Sequence, residues 1–131
     1  MQTMQQRRAA FALERVQRVA DNDKIAPKEF VAYASGLPAM IHMNGLGQAA
    51  AFYRSKGGDK QGGASYQYLY DLLSDWLCDE GQPFEDHSDL LVGITSADMA
   101  AYMLAQAEAQ ALMDWVKKFA KAFLGEQEAP A

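Results

Sequence analysis

The chain has 131 residues, enough for one domain with a hydrophobic core of its own. Half of the residues are hydrophobic, which excludes a disordered chain, and abundant Ala, Gln, Leu and Met beside scarce Val, Ile and Thr favour helices over strands. A formal net charge of −5, from 17 acidic and 12 basic residues, argues against a generally basic nucleic-acid-binding domain. Any nucleic-acid contact must therefore come from a local patch.

The sequence indicates neither a membrane protein nor a disulfide-bonded one. No stretch approaches the roughly 18 consecutive apolar residues of a membrane-spanning helix, and no charged-then-apolar leader follows Met1. We therefore expect a cytoplasmic protein without a membrane partner. The single cysteine, Cys78, has no CxxC motif or neighbouring histidine, so we expect it to be a small buried hydrophobic residue. We expect no metal and no cofactor.

The first predicted helix, Met4–Ala20, has two different faces. At about 100° per residue, small and apolar side chains share one arc, which we expect to be buried: Ala9, Ala12, Leu13, Val16, Val19 and Ala20. Four arginines surround Phe11 on the other side: Arg7, Arg8, Arg15 and Arg18. This combination can grip a phosphate backbone or an acidic protein surface. The alternative is a solvated arginine face with Phe11 packed against a neighbouring helix.

Two prolines predict the starts of two helices in the next segment. Pro27 begins a short helix, which we expect Ser35 and Gly36 to end. Pro38 suits the first turn of a second helix, which continues to Lys56. Apolar side chains are spread around most of the circumference of this second helix, so we expect it to be largely buried.

Two glycines inside the second helix, Gly45 and Gly47, each cost about 1 kcal/mol relative to alanine. Their presence indicates that neighbouring backbones come close. Together with Ala50 they satisfy the G-x-G-x-x-A pattern of dinucleotide-binding turns. That fingerprint requires a preceding strand, whereas a proline-started helix precedes it here, so nucleotide binding is not indicated.

A glycine-rich loop at 57–63 follows, and with Arg54, Lys56 and Lys60 it can wrap an anion, although a plain flexible connector is the more common use of such a loop.

Helical spacing returns at 64–78, where the inward stripe is Tyr66, Leu69, Leu73, Trp76 and Leu77. The acidic segment 79–89 predicts a surface loop, in which His87 is solvated, and residues 90–94 predict a short apolar turn.

The final helix is predicted to start at a capping box formed by Thr95 and Asp98 and to end at Leu124 before Gly125. Apolar residues repeat every three or four positions along it in a coiled-coil-like seam: Tyr102, Ala105, Ala109, Leu112, Val116, Phe119 and Phe123. The opposite face carries Lys117, Lys118 and Lys121, with Asp114 placed to pair with Lys118. This face is either a solvated lysine surface or a phosphate site. Residues 1–124 are expected to form one helical domain, and 125–131 a disordered tail.

No spacing in the chain indicates a catalytic site. The two histidines, His42 and His87, provide neither a metal-ligand set nor a nucleophile and base pair. A small helical enzyme is therefore the least supported class, because a reactive site needs convergent titratable groups. The fold expected from the whole chain is all-α, a compact bundle of about five to six helices with a long C-terminal helix.

Four segments resemble one protein family: RAAFALERV, LPAMIHMNGLGQAAAFYRSKG, LYDLLSDWL and EAQALMDWVKKFAKAFL. In this order and spacing they resemble the small all-helical subunit of the type III-B CRISPR Cmr effector complex, the fifth Cmr protein. The resemblance implies a non-catalytic subunit that stacks in several copies beside the backbone subunits, along the groove where crRNA pairs with target RNA. It also implies that partners are other Cmr subunits and both RNA strands, with no small-molecule substrate.

The resemblance does not indicate which residues contact RNA. On charge and exposure we expect phosphate contacts from six basic side chains: Arg15, Arg18, Lys56, Lys117, Lys118 and Lys121. Contacts to phosphates are blind to sequence, which suits a guide that leaves sequence reading to base pairing. The alternative is a helical protein-protein interaction module with no direct nucleic-acid contact, which the negative net charge favours.

Overall fold

Five α-helices account for most of residues 1–125, the part of the chain that this computed structural model describes. In chain order they are α1 (Met4–Ala20), α2 (Pro27–Lys56), α3 (Gly63–Leu77), α4 (Leu90–Ser96) and α5 (Met99–Leu124). No strand occurs within 1–125. The prediction of an all-α bundle with a long C-terminal helix is confirmed. The expected disordered tail falls, apart from Gly125, outside the described residues.

The long helix α5 packs against both α1 and α2, and α2 also packs against α3. The buried side chains of α5 are mostly small, which lets neighbouring helices approach: Ala105, Ala109, Leu112, Met113, Val116 and Ala120. The predicted seam is confirmed through its centre, because periodicity at three and four residues matches one helix face. Phe123 departs from it, since 56% of its surface is exposed at the end of the helix beyond the core.

Helix α1 has the predicted bounds and buries Ala12, Val16 and Val19. Thr3 caps it: the Thr3 hydroxyl accepts a hydrogen bond from the Gln6 N–H at 3.1 Å, and the Gln6 side chain accepts one from the Thr3 N–H at 2.8 Å. This reciprocal cap satisfies two backbone donors that a helix start leaves without intrahelical partners.

Helix α2 contradicts the prediction of two helices separated at Ser35 and Gly36. It runs through both residues and through Pro38, and its only non-helical residue is Gly45, with φ 86° and ψ 162°. An interior proline removes one helical hydrogen bond. Here the surrounding turn is held by tertiary packing, because Ala34 and Leu37 are buried in the core. The Gln110 amide also donates to the Pro38 carbonyl at 3.1 Å.

The second half of α2 is less buried than its scattered apolar residues predicted. Leu46, Ala49 and Tyr53 are in the core, but 80% of Met43 and 39% of Phe52 are exposed. Helices α3, α4 and α5 all pack against α2, but these contacts leave Met43 and part of Phe52 open to solvent. The expectation of a largely buried helix is therefore wrong, because periodicity alone does not say whether an apolar side chain meets a neighbour.

The segment between α3 and α5 also differs from its prediction in two places. Residues 90–94 belong to a helix, α4, whose start is capped by Asp89. The start of α5 is capped by Asp98 alone, whose carboxylate accepts from the Ala101 N–H at 2.8 Å. Thr95 takes no part in that cap, because its hydroxyl donates to the Leu91 carbonyl at 2.8 Å. The short helix α4 occupies the residues that the predicted capping box required.

The loop between α3 and α4 is held to the bundle by buried residues. The Phe84 side chain is fully buried and packs on Gly93 of α4. The Tyr70 hydroxyl donates to the Asp89 carboxylate at 2.7 Å, and burial, with this hydrogen bond, raises the pKa of Tyr70, so the hydroxyl stays a donor. The predicted surface loop therefore exposes most of its acidic side chains, while Phe84 and Asp89 anchor it to the bundle.

Candidate nucleic-acid interface

The C-terminal half of α5 presents three cations to solvent. Lys118 and Lys121 are exposed and Lys117 is half-buried. Within residues 1–125 none of the three lies within ion-pair distance of a carboxylate, and the predicted pair of Asp114 with Lys118 does not form. Uncommitted ammonium groups are available to an external anion such as phosphate.

An aromatic row runs beside these lysines. Trp115, Phe119 and Phe123 follow one another at intervals of four residues, with ring centroids 5.6 Å and 6.2 Å apart. The Trp115 indole donates to the Gln5 side-chain oxygen at 2.9 Å, which ties this end of α5 to α1. The lysines are thus carried on a helix that is held on both sides, by α1 and by α2.

The arginines of α1 are already paired inside the molecule. The Arg15 guanidinium lies 2.6 Å from the Asp75 carboxylate and 4.6 Å from the centre of the Phe11 ring. Arg18 pairs with Glu14 one turn earlier. A phosphate must compete with these carboxylates, so Arg15 and Arg18 are less available to RNA than the lysines of α5.

Two further residues of the basic face of α1, Arg8 and Phe11, also contact other helices. Arg8 pairs with Glu108 of α5, with nitrogen-to-oxygen distances of 2.5 Å and 3.1 Å. The Phe11 ring packs on Trp76 of α3, with centroids 4.9 Å apart. Its position matches the alternative in which Phe11 packs against a neighbouring helix.

Lys56 lies on a different helix from the lysines of α5. It is exposed near the end of α2, with its ammonium 5.5 Å from the centre of the Phe52 ring. Beyond Gly45, α2 folds back on its own first half, because the Tyr53 hydroxyl donates to the Tyr33 carbonyl at 2.6 Å. Lys56, one turn beyond Tyr53, therefore lies toward the start of α2, whereas the three lysines of α5 share one stretch of helix.

A clamp from α5 holds the break in α2, which the sequence did not predict. The Gly47 N–H donates to the Tyr102 hydroxyl at 2.9 Å, and the Leu46 N–H donates to the Gln106 side-chain oxygen at 2.9 Å. Gly45 supplies the positive φ that redirects the chain. Side chains, rather than backbones, make the close approach at Gly45 and Gly47, because a Cβ on Gly47 would lie 3.4 Å from the Tyr102 hydroxyl.

We expect Tyr102→Phe to lower the free energy of unfolding by about 1–3 kcal/mol, because the Gly47 N–H loses its acceptor in a partly buried site. Urea denaturation of the full-length chain measures the change. Ala100→Ser, at an exposed position of the same helix, is the matched control and should shift stability little. An equal loss in both variants would contradict a specific clamp.

Among residues 1–125, the remaining titratable side chains do not form a recognisable reactive site. Cys78, which is partly rather than fully buried, lines one shallow depression with Arg15, Asp75 and His87. Desolvation raises the pKa of the Cys78 thiol, which keeps it from being a ready nucleophile. Residues 1–125 contain no grouping of three or more His, Cys, Asp or Glu side chains able to hold a metal. Among the same residues, no helix is long and apolar enough to cross a bilayer.

Comparison with known proteins shows the family and the fold of the chain. A family model described as CRISPR-associated protein (Cas_Cmr5) matches residues 4–123. The crystal structure of a CRISPR-associated Cmr5 family protein from Thermus thermophilus superposes with a TM-score of 0.70 at 26% sequence identity, over 94% of this chain and 99% of that one. Both matches extend over nearly the whole bundle, from α1 to α5. The chain therefore belongs to the Cmr5 family of CRISPR-associated proteins.

Proposed function

We propose that this chain is a non-catalytic small subunit of a type III-B CRISPR ribonucleoprotein effector. Its family indicates a subunit of a CRISPR Cmr complex. In this proposal residues 1–124 act as one domain in the cytoplasm, several copies stack along the backbone subunits, and each copy steadies the crRNA/target RNA duplex through sequence-independent phosphate contacts. The observation that carries it is a set of lysines on α5 that have no carboxylate partner within residues 1–125: Lys117, Lys118 and Lys121.

The charge distribution supports phosphate contact in spite of the acidic total. A net charge of −5 repels RNA at long range, but within a Debye length of about 8 Å at physiological salt the local charges dominate. Three lysines within five residues of one helix give such a local field. An acidic chain with one basic flank is suited to hold RNA inside a complex whose other subunits bring the strand close.

A passive role is supported by the chemistry of the described residues. General acid-base or nucleophilic catalysis needs titratable groups within hydrogen-bond reach of one another and of a substrate. The depression that contains Cys78 has a thiol with a raised pKa and an Asp75 carboxylate paired with Arg15. Neither group is poised to react, so we assign the chain no substrate.

RNA crosslinking in the assembled ribonucleoprotein tests the proposal. A target strand carrying photoreactive groups is bound to the complex, and crosslinked peptides of this chain are identified by mass spectrometry. We expect crosslinks on the peptide that contains Lys117, Lys118 and Lys121, with fewer on α1, where Arg15 and Arg18 are paired. Crosslinks confined to other subunits would remove RNA contact from the proposal.

A second candidate function is a protein-protein interaction module without RNA contact. It is favoured by the first half of the outer face of α5, which is uncharged and mostly apolar from Met99 to Ala107 and exposes Met99, Met103 and Leu104. An exposed apolar surface of this kind is typical of contact with another protein. The same crosslinking experiment separates the two functions, because this module predicts no crosslink from the target strand to any peptide of this chain.

A further inference from the structure

A groove crosses the outer side of α2 at the break, and no described residue fills it. Its lining consists of Met40, Asn44, Gln48 and Phe52, which are spaced four residues apart. Two of them precede Gly45 and two follow it, so the groove depends on the bend that Gly45, Tyr102 and Gln106 maintain.

Part of the groove is polar and uncommitted. The Asn44 and Gln48 side chains are exposed, and within residues 1–125 neither makes a hydrogen bond. Each amide offers both a donor and an acceptor, which is the pairing that the edge of a nucleobase presents in return. Met40 and Phe52 supply apolar surface for a flat ring.

Phe52 is held in place by other aromatic residues while part of its surface is open. The edge of its ring meets Tyr66, with centroids 6.2 Å apart and planes at 80°, and Tyr66 stacks on Tyr33 with centroids 4.1 Å apart. Lys56 lies over the Phe52 ring, with its ammonium 5.5 Å from the centre. A planar base can take the place of this ammonium while Lys56 turns to the adjoining phosphate.

We propose that this groove binds one unpaired nucleotide of RNA, whose base stacks on Phe52, whose edge contacts Asn44 and Gln48, and whose phosphate contacts Lys56. The inference rests on the proposed function, and it adds a single-stranded site to the phosphate contacts of α5. A protein helix is a poorer fit, because a helix-binding groove needs a continuous apolar row. Here two of the four lining residues are amides, and the ammonium of Lys56 lies over Phe52, with no carboxylate in the lining.

Fluorescence of Phe52→Trp in the full-length chain tests the site directly. At low salt we expect hexauridylate to quench the new indole, because base stacking quenches tryptophan, while a duplex of equal length leaves it unchanged. The unmodified chain corrects for Trp76 and Trp115. Val92→Trp, on the exposed side of α4, is the matched control and should respond equally to both probes.

A second variant measures the contribution of the ring. Phe52→Leu is expected to weaken hexauridylate binding about tenfold, as loss of one base-aromatic stack does. Absence of selective quenching at Phe52→Trp would overturn the inference, yet the proposed function would stand if RNA still crosslinks to the lysines of α5. Loss of a neighbouring subunit from complexes carrying Phe52→Leu, with hexauridylate binding unchanged, would assign the groove to a protein instead.

Discussion

Reversal of Lys117, Lys118 and Lys121 to glutamate is expected to weaken target-RNA retention by the assembled complex about 10- to 100-fold at physiological salt. Each phosphate contact releases about 0.7 to 0.9 of a counterion, so three lost contacts lower the slope of log affinity against log salt by about 2 to 3. The fall in affinity and the flatter salt dependence have one cause. Filter binding of labelled target RNA across a salt series measures both.

We expect the effect to depend on the position of these three lysines and not on the net charge of the chain. A control variant with the same change in net charge, Arg7→Glu, Lys24→Glu, Gln17→Glu and Gln61→Glu, alters exposed residues outside α5. It should retain most of the affinity and the original salt slope. Equal losses in the two variants would indicate long-range repulsion, and unchanged retention after the lysine reversal would exclude these lysines from RNA contact.

Much of the fold follows from the sequence because α1, α3 and α5 repeat apolar residues at a helical period over fifteen or more residues. Helix α2 could not be predicted in the same way. Its proline and glycines favour an end at Gly36 and a new start at Pro38, but core packing at Leu37 carries the helix through them. The real break, at Gly45, depends on two acceptors from α5, the Tyr102 hydroxyl and the Gln106 side-chain oxygen, which lie 55 to 60 residues away in sequence from the N–H groups that they accept from.

The sequence predicted which basic residues form the candidate interface, but it could not predict which of them are free to bind RNA. Lys117 and Arg15 look alike in the sequence, since each lies in a cluster of basic residues on one helix. Arg15 finds Asp75 on a different helix, 60 positions away, whereas Lys117 finds no carboxylate within the described residues. Pairing of this kind depends on tertiary structure, so no local pattern could have ranked the two groups.

Gly93→Ala is expected to lower the free energy of unfolding by about 3 kcal/mol, the upper range for overpacking a core. A Cβ at this position would lie 2.6 Å from two carbons of the Phe84 ring. The ring cannot yield easily, because Phe84 is fully buried and its N–H donates to the Leu77 carbonyl at 2.9 Å. Urea denaturation of the full-length chain, followed by circular dichroism, measures the loss.

The sign of this effect distinguishes two physical causes. Helix propensity alone predicts that alanine in place of a helical glycine stabilises α4 by about 1 kcal/mol, whereas packing predicts a loss. Val92→Ala, one residue earlier and 43% exposed, controls for small changes in the same helix. The double variant of Gly93→Ala with Phe84→Leu should lose less stability than the sum of the single variants, because the smaller side chain makes room for the Cβ. Simple additivity would mean that Phe84 is not the obstacle, and a gain from Gly93→Ala would mean that α4 is held loosely enough to move away.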